Sequence, residues 1–423
     1  MHSTDWLQFA LFIGLLALIT KPLGIYLTQV LDVNGKTWLD PVIGPLERLT
    51  YSLMGLDRNK EQGWKQYTLA MLLFSLVGLV FTYLILRYQH LLPLNPQNLP
   101  GLSDHLAFNT AVSFTTNTNW QSYGGESTMS YFSQMVGLAI HNFTSAAVGI
   151  SIAAALVRGI ARASATTLGN FWVDLVRTTY YLLLPICFVF ALFLVSQGMI
   201  QNFKSYDTAK LVEPQTVQVA KMDASNQPLV DAAGQPVMKD KVVSEQTIVQ
   251  GPMASQVAIK MLGTNGGGFF NANAAHPFEN PNPLSNLLQN YMLLLIPLSL
   301  VVTFGQMVKD RRQSRLLMAV MAGILVAFAG FTAFVEKHAG HYLHADAVLL
   351  MVGLVVALLL GLSGMVYHFV FLKAAREGWP VVSPLVRLIV RDELAQRKSP
   401  VALAMLRRRR LTPTTGCSTC VRR

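Results

Sequence analysis

Two glycine- and threonine-rich polar segments, each set between long apolar runs, constrain this chain more than any other feature. The first reads Thr115-Thr116-Asn117-Thr118-Asn119-Trp120-Gln121-Ser122-Tyr123-Gly124-Gly125. The second reads Gly263-Thr264-Asn265-Gly266-Gly267-Gly268-Phe269-Phe270-Asn271. Irregular backbone at membrane depth persists only where protein or a watery cavity satisfies its polar groups. Each segment also follows an amphipathic stretch shorter than the ~20 residues a bilayer crossing requires. Apolar span, short re-entrant helix, extended polar loop and apolar span, in that order, is the plan of a cation selectivity filter.

The surrounding composition agrees with a membrane setting. Of 423 residues, 52% are hydrophobic and 13% charged, about half the charged content of an ordinary soluble domain. Seven apolar spans are marked, near 6–30, 67–86, 129–155, 172–199, 284–308, 316–335 and 347–372. The expected fold class is therefore an all-α polytopic membrane protein with repeated helix–pore-loop–helix units. The opening Met1-His2-Ser3-Thr4-Asp5 lacks a basic leader, so the first apolar run reads as a retained span. The net charge of +11 belongs mostly to one tail: from Lys373 onward there are 12 Lys and Arg against 3 acids. That distribution excludes a nucleic-acid-binding surface on the body of the chain.

Basic residues in short loops set the orientation. Lys36, Arg48, Arg58, Lys60 and Lys65 follow the first span, Arg158 and Arg162 the third, and Lys309, Arg311, Arg312 and Arg315 the fifth. All three clusters fall inside by alternation, leaving the N-terminus and both polar loops outside. Four segments follow: 1–66, an extra first helix and cytoplasmic loop; 67–165 and 166–315, two helix–pore–helix units; and 316–423, an incomplete third unit with a basic tail. Thr118-Asn119 and Thr264-Asn265 stand at corresponding places in the two units. The polar insert 201–251 carries a near-duplicate octet, at 223–230 and 231–238, flanked by β-prone runs, and predicts a small extracellular β-ribbon.

A dehydrated potassium ion needs a ring of oxygen ligands, which extended backbone supplies through its carbonyls. The candidate set is Thr116, Asn117, Thr118, Asn119 and Gln121 in the first loop and Gly263, Thr264, Asn265, Gly266, Gly267 and Gly268 in the second. Glycines permit the dihedrals required; threonine hydroxyls add oxygens, and the carboxamides either ligate or brace the loops from behind. No carboxylate lies in either loop core, which disfavours a hard divalent site. Glu126 and Glu279, just beyond the loops, are expected to concentrate cations at the outer mouth. A phosphate loop is excluded because the triple glycine runs into Phe-Phe, not Lys-Ser/Thr. His141, Asn142 and Ser145 inside the third span suit helix packing or ion contact. Lys21 beside Pro22 reads as a snorkelling lysine at a kink. Cys417 and Cys420 give two thiolates where structural zinc wants four ligands. No nucleotide loop, metal helix or nucleophile elbow is present, so uphill transport would draw its energy from another subunit.

Several segments together resemble a known family. They are Leu94–Gln97, Asn109–Ser113, Thr116–Ser122, Tyr131–Met135, Gly263–Asn273, His276–Pro281 and Asp310–Gln313. They closely resemble the potassium-binding A subunit of the bacterial Kdp transporter (the KdpA family), over roughly residues 6 to 335. The resemblance implies high-affinity K⁺ uptake across the bacterial cytoplasmic membrane by a non-catalytic subunit. It also implies a separate P-type ATPase catalytic subunit that hydrolyses ATP, with small C and F subunits completing the complex. K⁺ is the transported ion, and no organic cofactor is implied. By resemblance Asn117 and Thr264 are filter ligands, with Gln121 and Gly266 tuning selectivity. After Val335 the expected third and fourth pore loops do not follow, and the Arg407–Arg410 tail reads like a changed reading frame. A non-transporting copy, a passive cation channel and two paired chains are the alternatives this departure raises.

Overall fold

The computed structural model describes residues 3–162, 166–221, 229, 235 and 237–338. These residues are mostly helical, and among them six helices are long and apolar enough to cross a membrane. These are Leu7–Leu31, Trp64–Arg87, Ser133–Ala161, Phe171–Ser196, Pro283–Met307 and Arg311–Thr332. They match the first six runs marked in the sequence, with ends shifted by a few residues. The run at 347–372, the octet at 223–238 apart from residues 229, 235, 237 and 238, and the basic tail lie outside the described residues.

The first span, α1 (Ser3–Leu31), contains Pro22 within the helix, with Lys21 exposed beside it. A short amphipathic helix, α2 (Asp40–Leu53), follows; the Thr37 N–H and hydroxyl both donate to the Asp40 carboxylate, at 3.0 and 2.9 Å, and set its start. The second span is α3 (Trp64–Arg87). It is followed by α4 (Asp104–Thr115), capped by Ser103 Oγ, which accepts from Leu106 N–H. After the first polar loop come a single turn, α5 (Gly125–Thr128), and the third span, a π-helical stretch (Ser133–Ala139) leading into α6 (Ile140–Ala161).

The fourth span runs α7 (Phe171–Arg177), a π-helical stretch (Thr178–Leu183) and α8 (Leu184–Ser196). Pro185 explains the widened turns: it has no N–H to give, and its ring crowds the carbonyl one turn earlier. Strands β1 (Asp207–Ala220) and β2 (Met238–Ile248) pair antiparallel from Asp207–Ile248 to Ala220–Met238, with a register shift between Lys210 and Gln215. The β-prone runs thus form the expected ribbon. Next come α9 (Met253–Leu262), the second polar loop, α10 (Pro283–Met307) and α11 (Arg311–His338). A capping box between Asn282 and Ser285 starts α10.

Among the described residues, 4–158 and 168–318, which between 222 and 236 include only 229 and 235, form one compact unit, separate from 159–162 and 319–338. This unit holds both polar loops. Its largest core packs Leu27 and Leu31 of α1 with Tyr67 of α3, Ala147 and Ile150 of α6, Phe171 and Leu182 of the fourth span, and Ile296 of α10. Gly24 of α1 lies so close to α10 that a Cβ there would stand 2.5 Å from Val302 Cβ. Thr303 Oγ1 donates to the Gly24 carbonyl at 3.0 Å, the small-residue contact by which membrane helices approach closely.

Two buried arginines fasten the end of α1. Arg158 donates to both oxygens of Asp174, at 2.6 and 2.8 Å, and to the Leu31 carbonyl at 2.5 Å. Arg177 pairs with Glu47 at 3.1 Å and donates to the carbonyls of Val30, Gln29 and Gly35. These carbonyls belong to the last turn of α1 and the residues after it, where cations suit the helix dipole. The sequence reading placed Arg158 in a loop cluster; the structure places it inside α6, only 5% exposed. An arginine adjoining an apolar run reads as a flank when its buried carboxylate is 16 residues away.

Candidate functional site: two paired polar loops

Both loops leave their short helices in the same way. After α4, Thr116 N–H donates to Val112, Asn117 N–H to Phe114 and Thr118 N–H to Ser113. After α9, Gly263 N–H donates to Ile259, Thr264 N–H to Met261 and Asn265 N–H to Lys260. The left-handed residues repeat as well: Asn117 and Asn119 have φ of 61° and 57°, Thr264 and Gly266 of 54° and 76°. Asn117 therefore corresponds to Thr264, Thr118 to Asn265 and Asn119 to Gly266. The sequence reading matched Thr118-Asn119 to Thr264-Asn265, one residue out of register. It followed a shared dipeptide, whereas hydrogen bonding and dihedrals set the equivalence.

The loops lie side by side. Gln121 Oε1 accepts from Gly268 N–H and its Nε2 donates to the Gly268 carbonyl, both at 3.0 Å. A Cβ on Gly267 would lie 2.9 Å from the Asn119 carbonyl, and one on Gly266 would lie 4.0 Å from that of Thr118. Asn265 Nδ2 donates to Asn117 Oδ1, joining the loops at their inner bends. Thr116 and Thr118 share a hydroxyl hydrogen bond of 3.0 Å. Thr116, Thr118 and Gly266 are exposed, Asn117, Gln121, Thr264 and Gly267 half-buried, and Asn119, Gly263, Asn265 and Gly268 buried. All eleven candidate residues thus belong to one local assembly, divided between an open face and a buried back.

The buried carboxamides brace the loops. Asn119 Nδ2 donates to Asn142 Oδ1, and Ser145 Oγ donates to Asn117 Oδ1 at 2.7 Å and accepts from Asn265 Nδ2 at 3.1 Å. A Cβ on Gly263 would lie 2.8 Å from the Asn142 carbonyl, so this face of α6 supports both loops. His141 Nε2 lies 2.9 Å from the Gly78 carbonyl on α3. Of the two uses offered for His141, Asn142 and Ser145, packing is the one these bonds display.

Of the two acids beyond the loops, Glu279 is buried and presents no charge at an open mouth. Glu279 has no exposed surface and pairs with Lys260 of α9, which is 1% exposed. Its Oε1 accepts from Phe270 N–H at 3.0 Å, and Gln289 Nε2 donates to its carbonyl at 2.9 Å. Glu126 is half-buried; its Oε2 accepts from Asn271 N–H at 2.9 Å, tying the exit of one loop to that of the other. The expectation missed Lys260, and with it the reason for burying Glu279. A lysine on a short apolar helix demands a nearby counter-charge, and that was the available signal. Burial pulls the Lys260 ammonium below its ordinary value, and the Glu279 carboxylate opposes that shift. Burial pushes the Tyr123 phenol, whose oxygen accepts from Gln121 Nε2 at 3.1 Å, well above its ordinary value.

The insert is anchored beside this assembly. Tyr131 OH, at the head of the third span, donates to the carbonyls of Lys204 and Gln250, at 2.6 and 3.0 Å. Tyr206 OH donates to the Glu126 carbonyl at 2.7 Å. Gly125 approaches the Phe269 carbonyl so closely that a side chain would displace it.

The family model described as the potassium-transporting ATPase A subunit (KdpA) matches residues 10–368. The resemblance therefore runs past Val335, where the sequence reading had ended it, into the seventh apolar run. A potassium-transporting ATPase potassium-binding subunit from Geotalea uraniireducens is 52% identical over 330 residues, 78% of this chain and 56% of its own length. Its counterpart in Geobacter sulfurreducens is 54% identical over 77% of this chain and 55% of its own length. That of Bordetella pertussis is 52% identical over 76% and 54%. The chain spans about half the length of the curated relatives it matches. With its apolar helices it is a multi-pass membrane protein, and by a match over most of its length it belongs to the potassium-transporting ATPase A subunit family.

Proposed function

We propose that this chain binds K⁺ in the two paired loops, as a K⁺-binding and translocating subunit of an ATP-driven uptake complex. The observation that carries the reading is the repeated loop exit. Two short helices, each directing its carbonyl end at a loop, deliver strands that share left-handed residues at two matched positions, with Gly267 adding a third in the second loop, and Gln121 and Gly268 lock them together. Helix C-termini carry partial negative charge, which favours a cation in front of them. Asn117 Oδ1 accepts two hydrogen bonds, and the amide nitrogens of Asn119 and Asn265 brace the loops while their Oδ1 atoms lie buried. On this reading the ligands are therefore backbone carbonyls and the exposed hydroxyls of Thr116 and Thr118. Such carbonyls replace the ion's water in a filter.

Two loops furnish part of a ring. The face carrying Thr116, Thr118 and Gly266 is open, and further loops, from the rest of a family protein or from a second copy, close it. The helices act as a scaffold, and ATP hydrolysis belongs to a separate P-type subunit, with small C and F subunits in the same complex. The basic residues that follow the first and fifth spans support an orientation with the N-terminus and loops outside, in a bacterial cytoplasmic membrane as the family resemblance implies. The test is K⁺-limited growth of a potassium-auxotrophic host carrying this chain and the partner subunits, against Gly266→Asp. Growth that the substitution abolishes supports the function; growth unaffected by it rejects the loops as the K⁺ path.

A further inference from the structure

The pair Lys260–Glu279 sits directly behind the second loop. A Cβ on Gly268 would meet Lys260 Nζ, Glu279 Oε1 and Asn273 Oδ1, each at 2.7 Å. Glu279 Oε1 holds Phe270 N–H, and the Lys260 carbonyl accepts Asn265 N–H at 3.1 Å. One lysine thus touches the loop's entry through its backbone and its exit through the carboxylate. The matched position in the first loop is Ser113, whose carbonyl accepts Thr118 N–H. Its hydroxyl donates to the Trp120 carbonyl at 3.0 Å. The first loop thus has a neutral hydroxyl, bonded to a loop carbonyl, at the position where the second has a lysine paired with a carboxylate.

That difference has an electrostatic consequence. A buried ammonium beside Gly268 would repel any cation held by the loop, and the adjacent carboxylate cancels its field. Burying such a pair costs desolvation on both partners, so its presence is not explained by stability alone. We propose that Lys260 and Glu279 are positioning residues for the second loop: they fix the Gly268–Phe270 backbone and keep the protein behind the cation path electrically balanced. The proposal rests on the K⁺-binding reading of the loops.

The test is equilibrium binding of K⁺, from KCl, to the purified full chain in detergent, for wild type, Lys260→Gln, Glu279→Gln and the double variant. Glutamine keeps a donor toward Glu279 in the first and an acceptor for Phe270 N–H in the second. Removing the ammonium leaves a net negative charge behind the loop, and K⁺ binds about three- to tenfold more tightly. Removing the carboxylate leaves a net positive charge, and K⁺ binds about tenfold more weakly. The double variant returns to within about threefold of wild type. Opposite signs cannot come from loosened packing, which weakens both. Equal weakening, or no change in either variant, overturns the proposal. If Lys260→Gln does not yield monodisperse protein, Lys260→Met replaces it with the same expected sign. Absence of saturable K⁺ binding by wild type overturns the filter reading itself, and the proposal with it.

Discussion

Gln121 grips Gly268 at two points: its amide oxygen takes the glycine N–H and its amide nitrogen gives to the glycine carbonyl, each at 3.0 Å. This bidentate contact bridges the two halves of the chain at the loops themselves. Gln121→Leu would leave both backbone groups of buried Gly268 unpaired, at a cost of about 1–3 kcal/mol each. The expected result is at least a tenfold loss of preference for K⁺ over Na⁺, read by competition binding. Gln121→Glu keeps the acceptor and loses the donor, and falls between.

Gly266 is required for its backbone, not for room. Its φ is 76°, and a Cβ there would find its nearest contact 4.0 Å away. Gly266→Ala should therefore destabilise by about 1 kcal/mol, the left-handed penalty of an L-residue. Gly266→Asn should cost less, since Asn tolerates that region and already occupies it at 117 and 119. Thermal unfolding midpoints in detergent, ordered wild type, Asn, Ala, check this.

The anchoring of α1 depends on Arg158 and Asp174, with side chains 5% and 2% exposed. Asp174→Asn strips the counter-charge from a buried guanidinium, and Tyr67 OH, which donates to Asp174 at 2.9 Å, shares the loss. Breaking such a pair costs about 3–5 kcal/mol. The expected outcome is a large fall in unfolding temperature, whereas Arg87→Gln, at a half-exposed pair with Asp104, changes it little.

Gly24 tests the helix contact that seats α1 on α10. With Val302 Cβ and the Ser299 carbonyl 2.5 and 2.8 Å from where a Cβ would stand, even Gly24→Ala must push the helices apart. Overpacking of this kind costs about 1–3 kcal/mol. Faster limited proteolysis between α1 and α2 is the expected readout; Gly14, with open space around it, is the control position for the same change.

Much of this architecture is legible in the residues. The bilayer demands long apolar helices, so composition alone marks the first six spans, and glycine and threonine between them mark both loops. The β-prone runs beside the octet pair as their alternation implies. What stays hidden is tertiary. Glu279 looks like a mouth residue because nothing in its neighbourhood names Lys260, 19 positions earlier, as its partner. Arg158 looks like a loop cation because Asp174 lies beyond the next turn of chain. The one-residue error in matching the loops arose because the Asn side chains that catch the eye occupy different roles: Asn119 braces against Asn142, and Asn265 against Asn117 and Ser145.

The most direct measurement is calorimetric titration of K⁺ and Na⁺ into the purified chain, wild type beside Gly266→Asp. Gly266 lies on the exposed face next to the Thr118 carbonyl, so an aspartate there intrudes on the carbonyl face without displacing the core. Saturable K⁺ binding, at least tenfold weaker for Na⁺ and lost in the variant, is the expected result. Equal affinity for the two ions, or K⁺ binding that Gly266→Asp leaves intact, would contradict a potassium site in these loops.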